Sequence, residues 1–274
     1  MIDVFRTGTE TNKVLKVKVK EGGMEEYTVK IKALTPLWTG DAERKSNKIR
    51  ETGIIGSLRW WYEALIRGLG GNACDPTNSK CEGRNHCDAC ELFGCTGWSR
   101  KFRLEVEKEE NSEIALKFIE LRKIKDIEWA LLNKTIKIIA NDGAIGGKIT
   151  VRNYGLIEIK NNDLEKFSIE KKALKGYIKK KGSNINNPNL EKFVFIISNL
   201  TYETVKEMKK TLIFLKGRKG KGKRYFYKTL NGNPNRLFVY GENDEEYGQI
   251  VNFLKDKSVQ FVEGKDILGD QNDK

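Results

Sequence analysis

The chain has 274 residues, with 51 Lys and Arg against 38 Asp and Glu and a single His, for a formal net charge of +13 at pH 7. No apolar run approaches the roughly 18 residues of a membrane span. The start, Met1-Ile2-Asp3-Val4-Phe5-Arg6, lacks the charged head and apolar centre of a secretory signal, and the 38% hydrophobic content excludes a disordered tail. The expectation is a cytoplasmic protein of one or two domains that buries a core without disulfides. Its excess positive charge favours a polyanionic partner, with nucleic acid first.

Residues 14–20 and 27–34 alternate apolar and polar side chains, the pattern of strands with one wet face. A polar loop through Lys48 follows Thr35-Pro36-Leu37. Leu58, Trp61, Tyr62, Leu65, Ile66 and Leu69 then recur at spacings of three and four, which predicts a helix with an apolar stripe. Ser57 is its expected N-cap, and Gly68, Gly70 and Gly71 its stop. Arg59, Glu63 and Arg67 fall on the other side at i, i+4 spacing, which leaves Arg59 available to a ligand. Trp61 belongs to the apolar face, while Trp60 is placed for either packing or base stacking.

Residues 72–99 lack periodicity and read as an irregular insertion. Strands are expected at 102–107 and 114–121, a helix at 126–140, a Gly-rich turn at 141–147 and a strand at 151–160. Beyond residue 161 the texture changes. Lys-rich helices around 163–180 and 203–216 flank the strand Phe193-Val194-Phe195-Ile196-Ile197. A basic stretch at 216–228, a strand at 236–240, a helix at 243–256 and a polar tail complete the chain. No fixed-period repeat is visible. This order of elements is that of an α+β fold with helices packed on antiparallel sheet.

All 5 cysteines lie in the insertion: Cys74, Cys81, Cys87, Cys90 and Cys95. An odd number in a reducing compartment argues against a disulfide framework. Cys87 and Cys90 form a C-x2-C step, which lets two thiolates reach one ion from a tight turn, and zinc prefers four such ligands in a tetrahedron. Cys74, Cys81, Cys87 and Cys90 are the expected ligands of a structural zinc. His86 can replace one of them, and an iron–sulfur cluster can use the same donors. The insertion has little apolar content, so a metal staple suits it.

The cations gather in three places. Arg44, Lys45, Lys48 and Arg50 precede the Ser57 helix, whose N-terminal N–H groups and dipole suit a phosphate. Lys148 and Arg152 flank the Gly-rich turn. The stretch 216–228 supplies Lys216, Arg218, Lys219, Lys223 and Arg224 with aromatics and no acid, a composition that tracks a nucleic-acid backbone and stacks on bases. Of Tyr225 and Phe226, one is expected in the core. A metal-independent nuclease normally needs a His as general acid or base. The one His adjoins the cysteine knuckle, so a non-enzymatic role is expected, with Asp41 the remaining candidate for assisting in-line attack.

Several segments together carry a resemblance. Thr35-Pro36-Leu37-Trp38-Thr39-Gly40 resembles the opening loop of RAMP proteins. Gly53-Ile54-Ile55-Gly56-Ser57-Leu58-Arg59-Trp60-Trp61 resembles the S-I-R-G-x-L-R-W-W helix of one RAMP family, Cmr subunit one of type III-B CRISPR effectors. Glu91-Leu92-Phe93-Gly94 with Ser99-Arg100 resembles that family's next motif, and 141–155 its Gly-rich loop. The sequence departs from the pattern at Gly53 and Ile55, where the family usually has Ser and Arg. The resemblance implies two ferredoxin-like (RRM-like) modules, 1–160 with the insertion 72–99 and 161–274. It also implies a non-catalytic subunit that grips the 3′ region of crRNA and the paired target RNA beside other Cmr-type subunits, with neither membrane nor small-molecule substrate. Cys95 stands where the family usually has Ser, which makes it the least favoured ligand. The competing readings are a RAMP endoribonuclease acting on crRNA or target RNA, and a zinc-stapled DNA-binding protein.

Overall fold

Alternation along the first strand sets the architecture. In β1 (Glu26–Ala33), Tyr27, Val29 and Ile31 enter the core, while Thr28, Lys30 and Lys32 face outward. The structure is a computed structural model that describes residues 25–41, 43, 45–76, 80–149, 154–178, 187–196, 200–217, 222–228 and 236–269. The strand expected at 14–20 lies outside the described residues.

After β1 come α1 (Glu51–Gly68), α2 (Asp88–Phe93), β2 (Phe102–Lys108), β3 (Glu113–Glu120), α3 (Asp126–Asn141) and β4 (Ile157–Asn162). The strands pair antiparallel in the order β2-β3-β1-β4. With α1 and α3 as the crossovers, this is the ferredoxin-like β-α-β-β-α-β arrangement. A short helix, α4 (Lys171–Tyr177), leads to the second half. There β5 (Phe193–Ile196), α5 (Tyr202–Thr211), β6 (Tyr225–Lys228), β7 (Arg236–Tyr240), α6 (Asp244–Asp256) and β8 (Phe261–Glu263) repeat the pattern, and α7 (Gly264–Gly269) follows. The second sheet is also antiparallel, in the equivalent order β6-β7-β5-β8. Among the described residues, no helix is long and apolar enough to cross a membrane.

The two sheets bury different surfaces. Val194, Ile196, Leu237 and Val239 pack on Val205, Met208, Ile250 and Leu254 from α5 and α6. The opposite face of the same sheet, with Phe193, Phe195, Phe226 and Phe238, joins the core built around α1. The Trp61 ring lies 5.1 Å from that of Phe238, and Trp60 lies 6.0 Å from both Phe193 and Tyr240. Trp60 is therefore a packing residue that joins the two halves. Fully burying an apolar side chain of this size contributes about 1.5–3 kcal/mol, so this shared layer holds α1 between both sheets.

Several expectations change. The helix α1 begins at Glu51, and its N-cap is Arg50, not Ser57. Ile54 and Ile55 are buried and extend the apolar stripe by a turn, which outweighs the roughly 1 kcal/mol penalty of each internal glycine. The polar side of α1 is not wet either: Glu63 and Arg67 are buried under the cysteine-rich insertion. β4 begins at Ile157, six residues after the expected start at 151. The polar tail contains β8, which is short and carries only Phe261-Val262 as an apolar signal.

Candidate metal centre and nucleic-acid groove

The insertion folds its cysteines around one point. The Sγ atoms of Cys74, Cys81, Cys87 and Cys90 all lie within 4.8 Å of one another. Cys87 is the N-cap of α2, and its sulfur accepts from the Cys90 N–H at 3.4 Å and the Cys74 N–H at 3.4 Å. The Cys81 sulfur accepts from the Cys87 N–H at 3.3 Å. Backbone donors aimed at sulfur favour thiolates. A tetrahedral ion with metal–sulfur distances of about 2.3 Å needs sulfurs about 3.8 Å apart, and Cys74 and Cys90 stand 3.5 Å apart. The four cysteines can therefore hold a single metal ion. The spacing is tighter than the corners of an iron–sulfur cube provide.

Crowding opposes ionisation until a cation arrives. The neighbouring Cys74 thiol is the main reason that Cys87 is pushed up to about 12, and it pushes Cys90 up as well. A bound cation reverses this, because it stabilises each thiolate directly. Cys95 lies outside the group, with its thiol directed to the Thr96 carbonyl at 3.6 Å. His86 does not replace a cysteine. Its Nδ1 meets the Gly83 carbonyl at 2.7 Å, its Nε2 meets Glu91 at 2.6 Å, and its ring packs on Trp98 at 4.5 Å.

Arg59 belongs to this centre rather than to an open surface. Its Nη2 donates to Cys90 Sγ at 3.2 Å and lies 3.6 Å from Cys74 Sγ. Its Nη1 donates to the Gly94 carbonyl at 2.9 Å, and its Nε to Glu63 at 2.7 Å. Arg67 donates to the carbonyls of Ala73 and Cys74 at 3.0 and 2.9 Å, which clamps the start of the insertion to α1. The expectation that Arg59 reaches RNA is thus corrected. Both arginines hold the insertion while facing Glu63, and Arg67 also donates to the Pro188 carbonyl at 2.8 Å, which spacing along α1 alone does not reveal.

The N-terminal half of α1 borders a groove of about 600 Å³. One wall is the Trp38-Thr39-Gly40 loop, a second the first turns of α1 with Gly53, Ser57 and Trp60, and a third Gly146-Gly147-Lys148. The second sheet closes it with Lys223, Tyr225, Phe238 and Tyr240. The Gly-rich turn is folded onto the Trp38 loop, and the Gly147 N–H donates to the Trp38 carbonyl at 2.7 Å. Gly146 has φ +89°, and a Cβ there would sit 2.7 Å from that same carbonyl oxygen. Only glycine satisfies both the conformation and the approach. The Lys148 ammonium lies 4.3 Å from the Trp38 ring centroid, a cation–π contact that keeps a positive charge at the mouth.

The remaining predicted cations divide. Lys148 and Lys223 line the groove and are exposed. Lys45 and Lys48 are exposed on the loop before α1, where Lys48 borders a separate cavity of about 310 Å³. Arg50 pairs with Asp41 at 3.3 Å. The Lys45 N–H and Arg50 together hold the Asp41 carboxyl below its ordinary range. Lys216 is exposed. Arg224 is buried and paired with Glu246 at 2.5 Å and Glu242 at 3.0 Å, so it ties β6 to the start of α6 and does not face a ligand. Arg44, Arg152, Arg218 and Lys219 lie outside the described residues. Phe226 is the core member of its pair and Tyr225 the half-buried one. Trp38 and Tyr240 also line the groove. The Thr35-Pro36-Leu37-Trp38-Thr39-Gly40 motif was the available signal for Trp38, and Tyr240 had none.

Residues 30–158 match a family model described as the RAMP superfamily. That span holds the second half of β1, α1, β2, β3, α3, the four clustered cysteines and three of the groove's walls. No curated protein matches the chain.

Proposed function

We propose that this chain is a RAMP protein acting as a non-catalytic, RNA-binding subunit of a type III-B CRISPR effector. In this reading it grips the 3′ region of crRNA and the paired target RNA beside other Cmr-type subunits. The observation that carries the reading is the groove. The glycine turn, the Trp38 loop and the first turns of α1 converge on a cavity whose mouth carries Lys148 and Lys223. Their ammonium groups and the positive end of the α1 dipole suit successive phosphates. Trp38 and Tyr225 offer aromatic faces to unpaired bases.

A single zinc ion fits the four thiols better than an iron–sulfur cluster, because the sulfurs lie so close together. Held there, zinc would supply no chemistry to RNA. It would fix the insertion against α1 through Arg59 and Arg67. An endoribonuclease role is disfavoured by the same geometry: His86 is held by Gly83 and Glu91, and Asp41 is held by Lys45 and Arg50.

Binding of the purified protein to matched single-stranded RNA, single-stranded DNA and duplex DNA at two salt concentrations tests this reading. The RNA is examined afterwards for cuts. Salt-sensitive preference for intact single-stranded RNA is expected. Preference for duplex DNA contradicts it, and cut RNA moves the assignment to an endoribonuclease.

A further inference from the structure

The groove reaches the edge strand of the second sheet. Tyr225 of β6 lines the groove, and α5 runs beside it. The Lys209 ammonium lies 5.0 Å from the Tyr225 ring centroid and 5.9 Å from that of Tyr202. One cation on α5 therefore reaches two aromatic rings. The first, on the edge strand β6, is half-buried on the sheet face that α5 and α6 cover, and the second, at the start of α5, is 49% exposed. Glu203 and Glu207, the acids of α5, pair with Lys206 and Lys257, so neither neutralises Lys209.

We propose that single-stranded RNA leaving the groove continues over α5, with Tyr225 and Tyr202 as successive stacking platforms and Lys209 as the phosphate contact between them. The proposal rests on the RNA-binding reading above and extends its track onto the second module. An ammonium over an aromatic face is held weakly at an exposed site. An unpaired base displaces it, and the freed ammonium then pairs with the adjoining phosphate. Both groups accept any base, so the extension lengthens the bound segment without selecting its sequence. Duplexes are excluded, because their bases are already stacked on one another.

The test compares the whole protein with its Tyr202→Ala and Tyr202→Trp variants against oligouridylates of about 4 and about 16 nucleotides. Tyr202 is exposed at the first turn of α5, so neither substitution disturbs a core. Tyr202→Ala is expected to weaken binding of the long RNA by about 5- to 150-fold and to leave the short one unchanged, and Tyr202→Trp to restore it. Equal affinity of Tyr202→Ala and the unaltered protein for the long RNA overturns the extension, as does equal weakening for both lengths. Lys148→Ala is the control for the groove itself and weakens both lengths. If the unaltered protein binds neither RNA, the RNA-binding reading falls and takes the extension with it.

Discussion

The two sheets share one strand order and bury themselves differently. β1 alternates, with Tyr27, Val29 and Ile31 inside and Thr28, Lys30 and Lys32 outside, so the first sheet keeps a charged face on which Lys30 meets Glu109. β5 is apolar throughout, Phe193-Val194-Phe195-Ile196, and every residue in it is buried. Its even residues face α5 and α6, and its odd residues face α1. The same topology thus makes a sheet with one wet face in the first half and a sheet covered on both faces in the second. A continuous apolar run marks the sheet that must be covered twice. The cover is α1, whose N-terminal half borders the groove and whose Arg59 and Arg67 hold the thiol centre, so the helix that covers the second sheet also carries both candidate sites.

The largest effect is expected at the centre that pins the insertion to α1. Cys87→Ser removes one of four donors, and structural zinc sites of this kind contribute about 10–16 kcal/mol in apparent binding free energy. The variant should purify without zinc and be cut by protease within 72–99, while the unaltered protein carries one zinc and resists.

The double cover of β5 comes next. Phe195→Ala, on the α1 side, should cost about 3–5 kcal/mol in chemical denaturation, and Ile196→Ala, on the α5 and α6 side, about 2–5 kcal/mol. Comparable losses on both faces sharpen the contrast with β1, where Lys30→Ala should leave the unfolding midpoint unchanged. A neutral Phe195→Ala would break it.

Arg59→Met should weaken zinc about 10- to 100-fold in chelator competition, the range for a residue that orients metal ligands. It should also shift the sulfur-to-metal charge-transfer band of the cobalt-loaded protein, because a donor to Cys90 is lost. The smallest effect is expected from Lys148→Ala, which should lower the slope of log affinity against log salt by about 1 for single-stranded RNA.

Much of this was legible in the residues. The alternation in 27–34 marked β1, the spacing of Leu58, Trp61, Tyr62 and Leu65 marked α1, and the C-x2-C step pointed to the cysteines that the fold brings together. What was hidden depends on covering. Arg59, Glu63 and Arg67 have the spacing of a solvated helix face, and only the insertion folded over them turns that face inward. Arg224 sits in a run of cations, yet Glu242 and Glu246, far along the chain, claim it. The start of α1 is hidden because Ser57 is a good cap in isolation, whereas Ile54 and Ile55 gain more by continuing the helix into the core. β8 is hidden because three residues carry too little pattern to stand apart from a polar tail.

The central claim is that RNA occupies the groove between the glycine turn, α1 and the second sheet. Photo-crosslinking with 4-thiouridine RNA, followed by identification of the modified peptides, tests it most directly. Crosslinks at Trp38, Tyr225 and the Gly146-Gly147-Lys148 segment are predicted. Crosslinks confined to the outer face of the first sheet, around Lys30, Lys32 and Lys117, would contradict it.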